Sequence, residues 1–171
     1  RAPSPRESDM GLVQPDEPRF LPPGDMPTRI QDYCREPAQP TPRTPGEVIR
    51  CILESLALLY AQHLEELERI TERTIRILHI VGGGSRNDLL NQFTANATGR
   101  TVLAGPVEAT SVGNVLVQML GLGWLASLEE ARAVVRQSFR MERYEPREHA
   151  VWDEAYNRFQ KLIANSPAMV G

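Results

Sequence analysis

The stretch Ile77-Leu-His-Ile-Val-Gly-Gly-Gly-Ser-Arg-Asn-Asp-Leu-Leu-Asn-Gln-Phe93 constrains this chain more than any other. A short apolar run stops at three consecutive glycines and becomes an amphipathic pattern of helical period. Three adjacent glycines sacrifice backbone order and side-chain packing, so the bare backbone itself must be needed there. A strand–glycine turn–helix junction puts unpaired N–H groups and the positive end of a helix dipole at the carboxyl edge of a sheet. Nucleotides commonly sit at such places. The pattern is neither G-x-G-x-x-G nor the phosphate loop ending in Gly-Lys-Ser/Thr.

The flanking sequence builds outward from that junction. Residues 75–81 are rich in β-branched side chains and apolar on both faces except at His79, which predicts a central strand covered on both sides. A helix is predicted from about Asn87 to Thr98, with Leu89, Leu90, Phe93 and Ala97 inward and Gly99 as a left-handed cap. Thr101-Val-Leu-Ala104 reads as a second strand, closing a right-handed β-α-β unit. After Gly105-Pro106, residues 107–120 read as a loop feeding a mostly apolar, hence buried, helix with Thr110 or Ser111 as its cap. Gly113 inside that helix costs about 1 kcal/mol against alanine unless close packing requires it. Ser127-Leu-Glu-Glu130 is a capping box opening a helix to about Gln137. Phe139 to Pro146 reads as irregular. Trp152, Tyr156, Phe159 and Ile163 then form the core stripe of a last helix.

Upstream, 11 of the 14 prolines fall within residues 1–46. Such composition predicts an extended segment that orders where it crosses another surface, with one short helix at about 27–35. The expected organisation is a proline-rich extended segment over 1–43, a globular domain over 44–165 and a tail over 166–171. Thr44-Pro-Gly-Glu47 is a capping box with proline at the first helical position. Val48, Ile52, Leu56, Leu59, His63, Leu67 and Ile70 follow at helical spacing, with His63 expected as a partly buried packing residue. Cys34 and Cys51 are too few for a zinc site. The residues permit a disulfide between them, but two reduced, packed thiols are the expectation for a cytosolic setting.

A net charge of −3 and the absence of a basic run give no reason to expect a nucleic-acid partner. No apolar segment approaches the roughly 20 residues that span a bilayer, so no membrane partner is expected. The first residues lack an apolar signal core, which makes the cytoplasm the expected location. The chain begins at Arg1 rather than methionine, and a piece of something longer is expected.

Several ordered motifs together resemble one family. They are Ile80-Val-Gly-Gly-Gly-Ser-Arg-Asn-Asp-Leu-Leu-Asn-Gln92, Ala97-Thr-Gly-Arg100 and Ala104-Gly-Pro-Val-Glu-Ala-Thr-Ser-Val-Gly-Asn114. Upstream, Pro22-Pro-Gly-Asp-Met-Pro27, Cys34 and Cys51-Ile-Leu-Glu-Ser-Leu-Ala-Leu-Leu-Tyr60 fit as well, as does Arg143-Tyr-Glu-Pro146. Over about residues 19–163 the chain resembles the carboxy-terminal domain of FGGY carbohydrate kinases. The resemblance implies an α/β, RNase H-like fold of the actin-like ATPase superfamily, here incomplete and preceded by the proline-rich segment. It also implies ATP and Mg²⁺ as cofactors and an adenine nucleotide as partner. The implied reaction is phosphorylation of L-rhamnulose at its 1-hydroxyl, with xylulose or fuculose as alternative sugars.

Residue by residue, the resemblance makes Gly83 a nucleotide contact and Gly82 and Gly84 the turn that permits the approach. Asn87 has two candidate roles. The residues alone favour a helix N-cap, whereas the resemblance implies a side chain that reaches the adenine end. Glu108, Thr110 and Ser111 read as a capped helix start without a catalytic role, and Arg86, Asp88 and Arg100 as solvated surface. The family's catalytic aspartate, sugar contacts and first phosphate loop lie upstream of the matched region, so no catalytic residue is assigned. Asp25 does not match the family's base. Glu36-Pro-Ala-Gln39 departs from the family's usual Thr-Gly-Gln turn and leaves the conformation after Cys34 open. The expectation is an ATP-binding half, inactive alone; a noncatalytic nucleotide-binding or interaction module with the kinase fold is the alternative.

Overall fold

The computed structural model describes residues 10–165. The first nine residues of the proline-rich segment and the 166–171 tail lie outside the described residues. The elements in chain order are α1 (Met26–Arg35), α2 (Pro45–Thr71), β1 (Ile77–Ile80), α3 (Asp88–Thr98), β2 (Thr101–Ala104), α4 (Ala109–Gly121), α5 (Leu128–Ser138), β3 (Glu142–Tyr144) and α6 (His149–Ala164). A short 3₁₀ turn, Gly83–Arg86, joins β1 to α3.

Helix α2 is the spine. Thr44 caps it, accepting from the Glu47 N–H at 3.2 Å, while the Glu47 carboxylate accepts from the Thr44 N–H at 3.1 Å. Those bonds hold the Glu47 carboxyl below its ordinary range, the N–H groups of Arg43 and Thr44 being the leading causes. The buried side chains run Val48, Cys51, Ser55, Leu58, Leu59 and Leu64 and stop there. The expected stripe is thus corrected at its far end. Leu67 and Ile70 are exposed, and His63 is exposed rather than partly buried. Leu53, Ala57, Leu58 and Leu59 pack with Phe93 of α3 and with Trp152 and Phe159 of α6. The aromatic stripe of α6 is therefore core, with the Phe93 and Trp152 rings 5.1 Å apart.

The proline-rich segment is not merely extended. Its apolar residues find a surface on α2, and Leu12 and Val13 are buried. The Val13 N–H donates to Ser55 Oγ at 3.0 Å. Gln39 holds the Leu12 backbone from both sides, accepting from its N–H and donating to its carbonyl, each at 2.9 Å. The turn after Cys34 is thereby settled, with Ala38 in the left-handed region at φ 55°. Asp25 caps α1 by accepting from the Thr28 N–H and hydroxyl. Cys34 and Cys51 are free, buried thiols in contact. Their mutual hydrogen bond lowers the Cys34 thiol and raises that of Cys51.

The sheet order is β1-β2-β3, with β1 and β2 parallel and β3 antiparallel to β2. This corrects two expectations. Residues 142–144 form a strand rather than irregular chain, too short at three residues to show an alternation. Because β3 takes the far side of β2, the central strand is β2, where Val102 and Ala104 are buried. Among the described residues β1 is an edge, with Ile77 46% exposed and Val81, just past its end, 51%. Leu89, expected inward, is also exposed. Helix α4 departs furthest: it buries none of its residues. Its cap position is taken by Glu108 rather than Thr110 or Ser111, and Gly113 meets no close neighbour. Its main neighbour is α5, so its apolar face stays open. Helix α5 starts at the expected cap, Ser127, which accepts from the Glu130 N–H at 3.2 Å.

Candidate nucleotide site

The two parallel strands end together, and the chain turns away from each in a glycine-containing loop. The Gly105 N–H donates to the Ile80 carbonyl at 2.8 Å, and the Gly82 N–H donates to the Pro106 carbonyl at 3.0 Å. Each loop is thus pinned to the other at the carboxyl edge of the sheet, the place where open α/β sheets bind ligands. Gly82 has φ 74° and ψ −161°, a conformation essentially confined to glycine. This residue makes the turn. The Ser85 hydroxyl then donates to the Gly82 carbonyl at 2.7 Å, closing the 3₁₀ turn.

Gly83 lies in that turn with open space where a side chain would stand. Among the described residues neither the Gly83 nor the Gly84 N–H has a partner. Asn87 is the N-cap of α3, its Oδ1 accepting from the Leu90 N–H at 3.0 Å. The capping role that the residues alone favour is therefore present. The Nδ2 atom of Asn87 stays without a partner among the described residues.

An open cavity of about 750 Å³ lies beside this edge. Ser85, Arg86 and Asp88 line it from the first loop, Gly105 to Glu108 from the second, and Phe139, Arg140, Glu142 and Tyr144 from the approach to β3 and the strand itself. Gly82, Gly83, Gly84 and Asn87 border this region without lining the cavity. The Tyr144 hydroxyl donates to Asp88 Oδ1 at 2.9 Å. Burial raises the Tyr144 phenol above its ordinary range, and the Asp88 carboxylate adds to that. Asp88 is exposed, as expected of a solvated surface, and is also held by this contact. Arg100 departs from the expected solvated surface: it pairs with Glu68 of α2 at 3.4 Å and is half-buried. Arg86 is exposed, as expected.

Two contributors were missed. Tyr144 sits in a strand of three residues, below any periodicity signal. Asn91 is fully buried and donates from Nδ2 to the Ser85 carbonyl at 2.9 Å. Its only signal was a polar residue on the inward face of a helix, between Leu90 and Phe93.

Comparison with known proteins gives the lineage of this arrangement. Residues 6–122 match the model of the FGGY family of carbohydrate kinases, C-terminal domain. The chain belongs to the FGGY family of carbohydrate kinases. FGGY kinases are ATP-dependent and generally use a divalent metal. Similar curated FGGY proteins include the rhamnulokinase of Bacteroides thetaiotaomicron, 47% identical over 152 residues, which span 89% of this chain and 31% of that protein. The rhamnulokinase of Bacillus subtilis is 49% identical over 130 residues, 76% of this chain and 27% of that protein. That of Enterococcus faecalis is 45% identical over 157 residues, 91% and 31% respectively. The chain therefore spans about a third of the length of these relatives. Among solved structures, xylulose kinase from Rhodospirillum rubrum aligns with a TM-score of 0.56 and 26% identity, over 71% of this chain and 25% of that one. A Plasmodium falciparum glycerol kinase with ADP aligns with a TM-score of 0.59 and 16% identity, over 72% and 25%. The α/β fold is that of the carboxy-terminal FGGY kinase domain, and the chain resembles that part of a rhamnulokinase.

Proposed function

We propose that this chain forms the nucleotide side of a cytoplasmic, ATP-dependent kinase that phosphorylates L-rhamnulose at its 1-hydroxyl. The sugar is taken from the rhamnulokinase relatives at 45–49% identity. The observation that carries the nucleotide reading is the glycine turn, with two free N–H groups beside the N-terminus of α3. In this reading Gly83 lets the nucleotide approach the backbone closely. The Gly83 and Gly84 N–H groups donate to its oxygens, and the dipole of α3 adds favourable potential. Asn87 does two jobs with two atoms: Oδ1 caps the helix while Nδ2 reaches the adenine end. Gly82 supplies the bend.

When bound, ATP supplies the phosphoryl group, and catalysis of such a transfer is mostly positioning and charge stabilisation. The residues of this chain contribute the positioning. Among the described residues no group of three or more His, Cys, Asp or Glu could hold a metal ion. Mg²⁺ is therefore not assigned to a site on this chain, and no step is drawn through it. Nor is the catalytic base: Asp25 is committed to capping α1.

A calorimetric and NMR titration with Mg·ATP tests the reading. Weak binding with amide shifts at Gly83, Gly84 and Asn87 is expected, without rhamnulose phosphorylation by the 171-residue chain alone. Robust turnover by that chain would overturn the division of labour. Absence of heat and shifts would favour an interaction module instead, a reading supported by the open apolar face of α4 and its following turn. There Val115, Val117, Leu122 and Trp124 are 55–70% exposed.

A further inference from the structure

The glycine turn would be a floppy ligand site unless something fixed it, because three glycines supply no side chain to pack. The structure supplies that fixture from α3. Asn91 lies one turn into the helix, fully buried, and its Nδ2 donates to the Ser85 carbonyl at 2.9 Å. Ser85, itself buried, donates to the Gly82 carbonyl from its hydroxyl at 2.7 Å and from its N–H at 3.1 Å. The Asn87 N–H donates to the Gly84 carbonyl at 3.1 Å, and the Asn91 N–H to the Asn87 carbonyl at 2.9 Å. A relay of hydrogen bonds thus runs from the helix interior to both ends of the triple glycine. Gly83, between them, is left with a free N–H.

We infer that Asn91 is a positioning residue: its buried amide pins the Ser85 carbonyl and so presets the Gly82–Gly84 turn before any ligand arrives. The consequence for nucleotide affinity rests on the reading of the turn as a nucleotide site; the anchoring of the turn does not. A purely apolar residue at this buried position would have no donor to offer. It would leave the Ser85 carbonyl buried and unpaired, which a satisfied core avoids. The Asn91 Oδ1 atom is itself buried without a hydrogen-bond partner. Packing alone gives no reason to bury this amide; its donor serves the turn, and the Tyr144 hydroxyl is its further polar neighbour.

The test compares wild-type chain with Asn91→Leu, which keeps the branched shape and removes the donor. Amide exchange at Ser85 and Asn87 is expected to rise about tenfold, the factor one buried hydrogen bond carries. Amides of α2 and β2 should keep their protection. The dissociation constant for Mg·ADP should rise by a similar roughly tenfold factor. Uniform acceleration across the chain, or none at the turn, would overturn the inference and leave Asn91 as core filling. Should wild type bind no Mg·ADP, the nucleotide reading fails while the exchange comparison still decides the anchor. Should Asn91→Leu not fold, the wild-type side chain decides it. Two resolved, slowly exchanging Asn91 amide protons close to Ser85 support the anchor, and a rapidly exchanging pair contradicts it.

Discussion

The two strand-to-helix junctions of the parallel pair are built from similar parts and finished differently. After β1, the chain bends at Gly82, is tied down by Ser85 and Asn91, and enters a helix capped by Asn87. That helix drives Phe93 into the core against Trp152. After β2, the chain bends at Gly105, with φ 118°, and enters a helix with no side-chain cap and no buried residue. The first junction is complete within this chain. The second is attached to it, with its apolar face open to solvent. The difference shows which of the two turns is held by the chain's own residues, and which leads into a helix that stays uncovered among the described residues.

Mutations can break or sharpen that contrast. Phe93→Ala should cost about 3–5 kcal/mol in urea unfolding, as for a buried aromatic in a close-packed core. Val117→Ala in α4 should stay within roughly 0.5 kcal/mol, because its side chain is 67% exposed. Equal costs would mean that α4 is covered in solution. The glycines should differ in sign. Gly82→Ala places a side chain on a glycine-only conformation and should destabilise by about 1–3 kcal/mol. Gly113→Ala removes helix-interior glycine where a methyl group meets open space, and should stabilise by up to about 1 kcal/mol. The caps follow. Asn87→Ala should cost about 1 kcal/mol, while Glu108→Ser should gain about 0.5–1 kcal/mol by supplying a cap that α4 lacks.

The smallest effect is one of pH. The Tyr144 phenol is raised in the folded chain, so the unfolded chain loses that proton first as pH climbs. Stability from this group is complete below the ordinary tyrosine range and falls as pH rises through it. Tyr144→Phe should flatten that alkaline loss in unfolding curves. A loss unchanged by the substitution would assign it to another group.

How legible this was depended on whether the information was local. Asn87, Thr44, Gly99 and Ser127 announce helix ends through chemistry that acts within four residues, and the structure has those caps. Thr101–Ala104 was readable as a strand for the same reason. Burial was harder, since it depends on what stands opposite. The apolar sequence of α4 predicts a buried helix, yet no second layer covers it within the described residues. β1 reads as central, but β2 holds that place because a three-residue strand, invisible to period-two patterning, pairs on its far side. Within the candidate site, the bend at Gly82 and the cap at Asn87 were legible as local structure. Asn91 and Tyr144 were not, because their partners lie across a turn or across the sheet.

The most direct measurement is a titration of wild-type chain and Gly83→Val with Mg·ADP, followed by amide shifts and by thermal unfolding. A side chain's first carbon at Gly83 would meet no neighbour within 4 Å, so the variant should fold with stability close to wild type. The account predicts shifts confined to residues 82–88 and the adjoining 105–108 loop in wild type, and their loss in Gly83→Val. Undiminished binding by a folded Gly83→Val, or shifts confined to the proline-rich segment and α5, would contradict it.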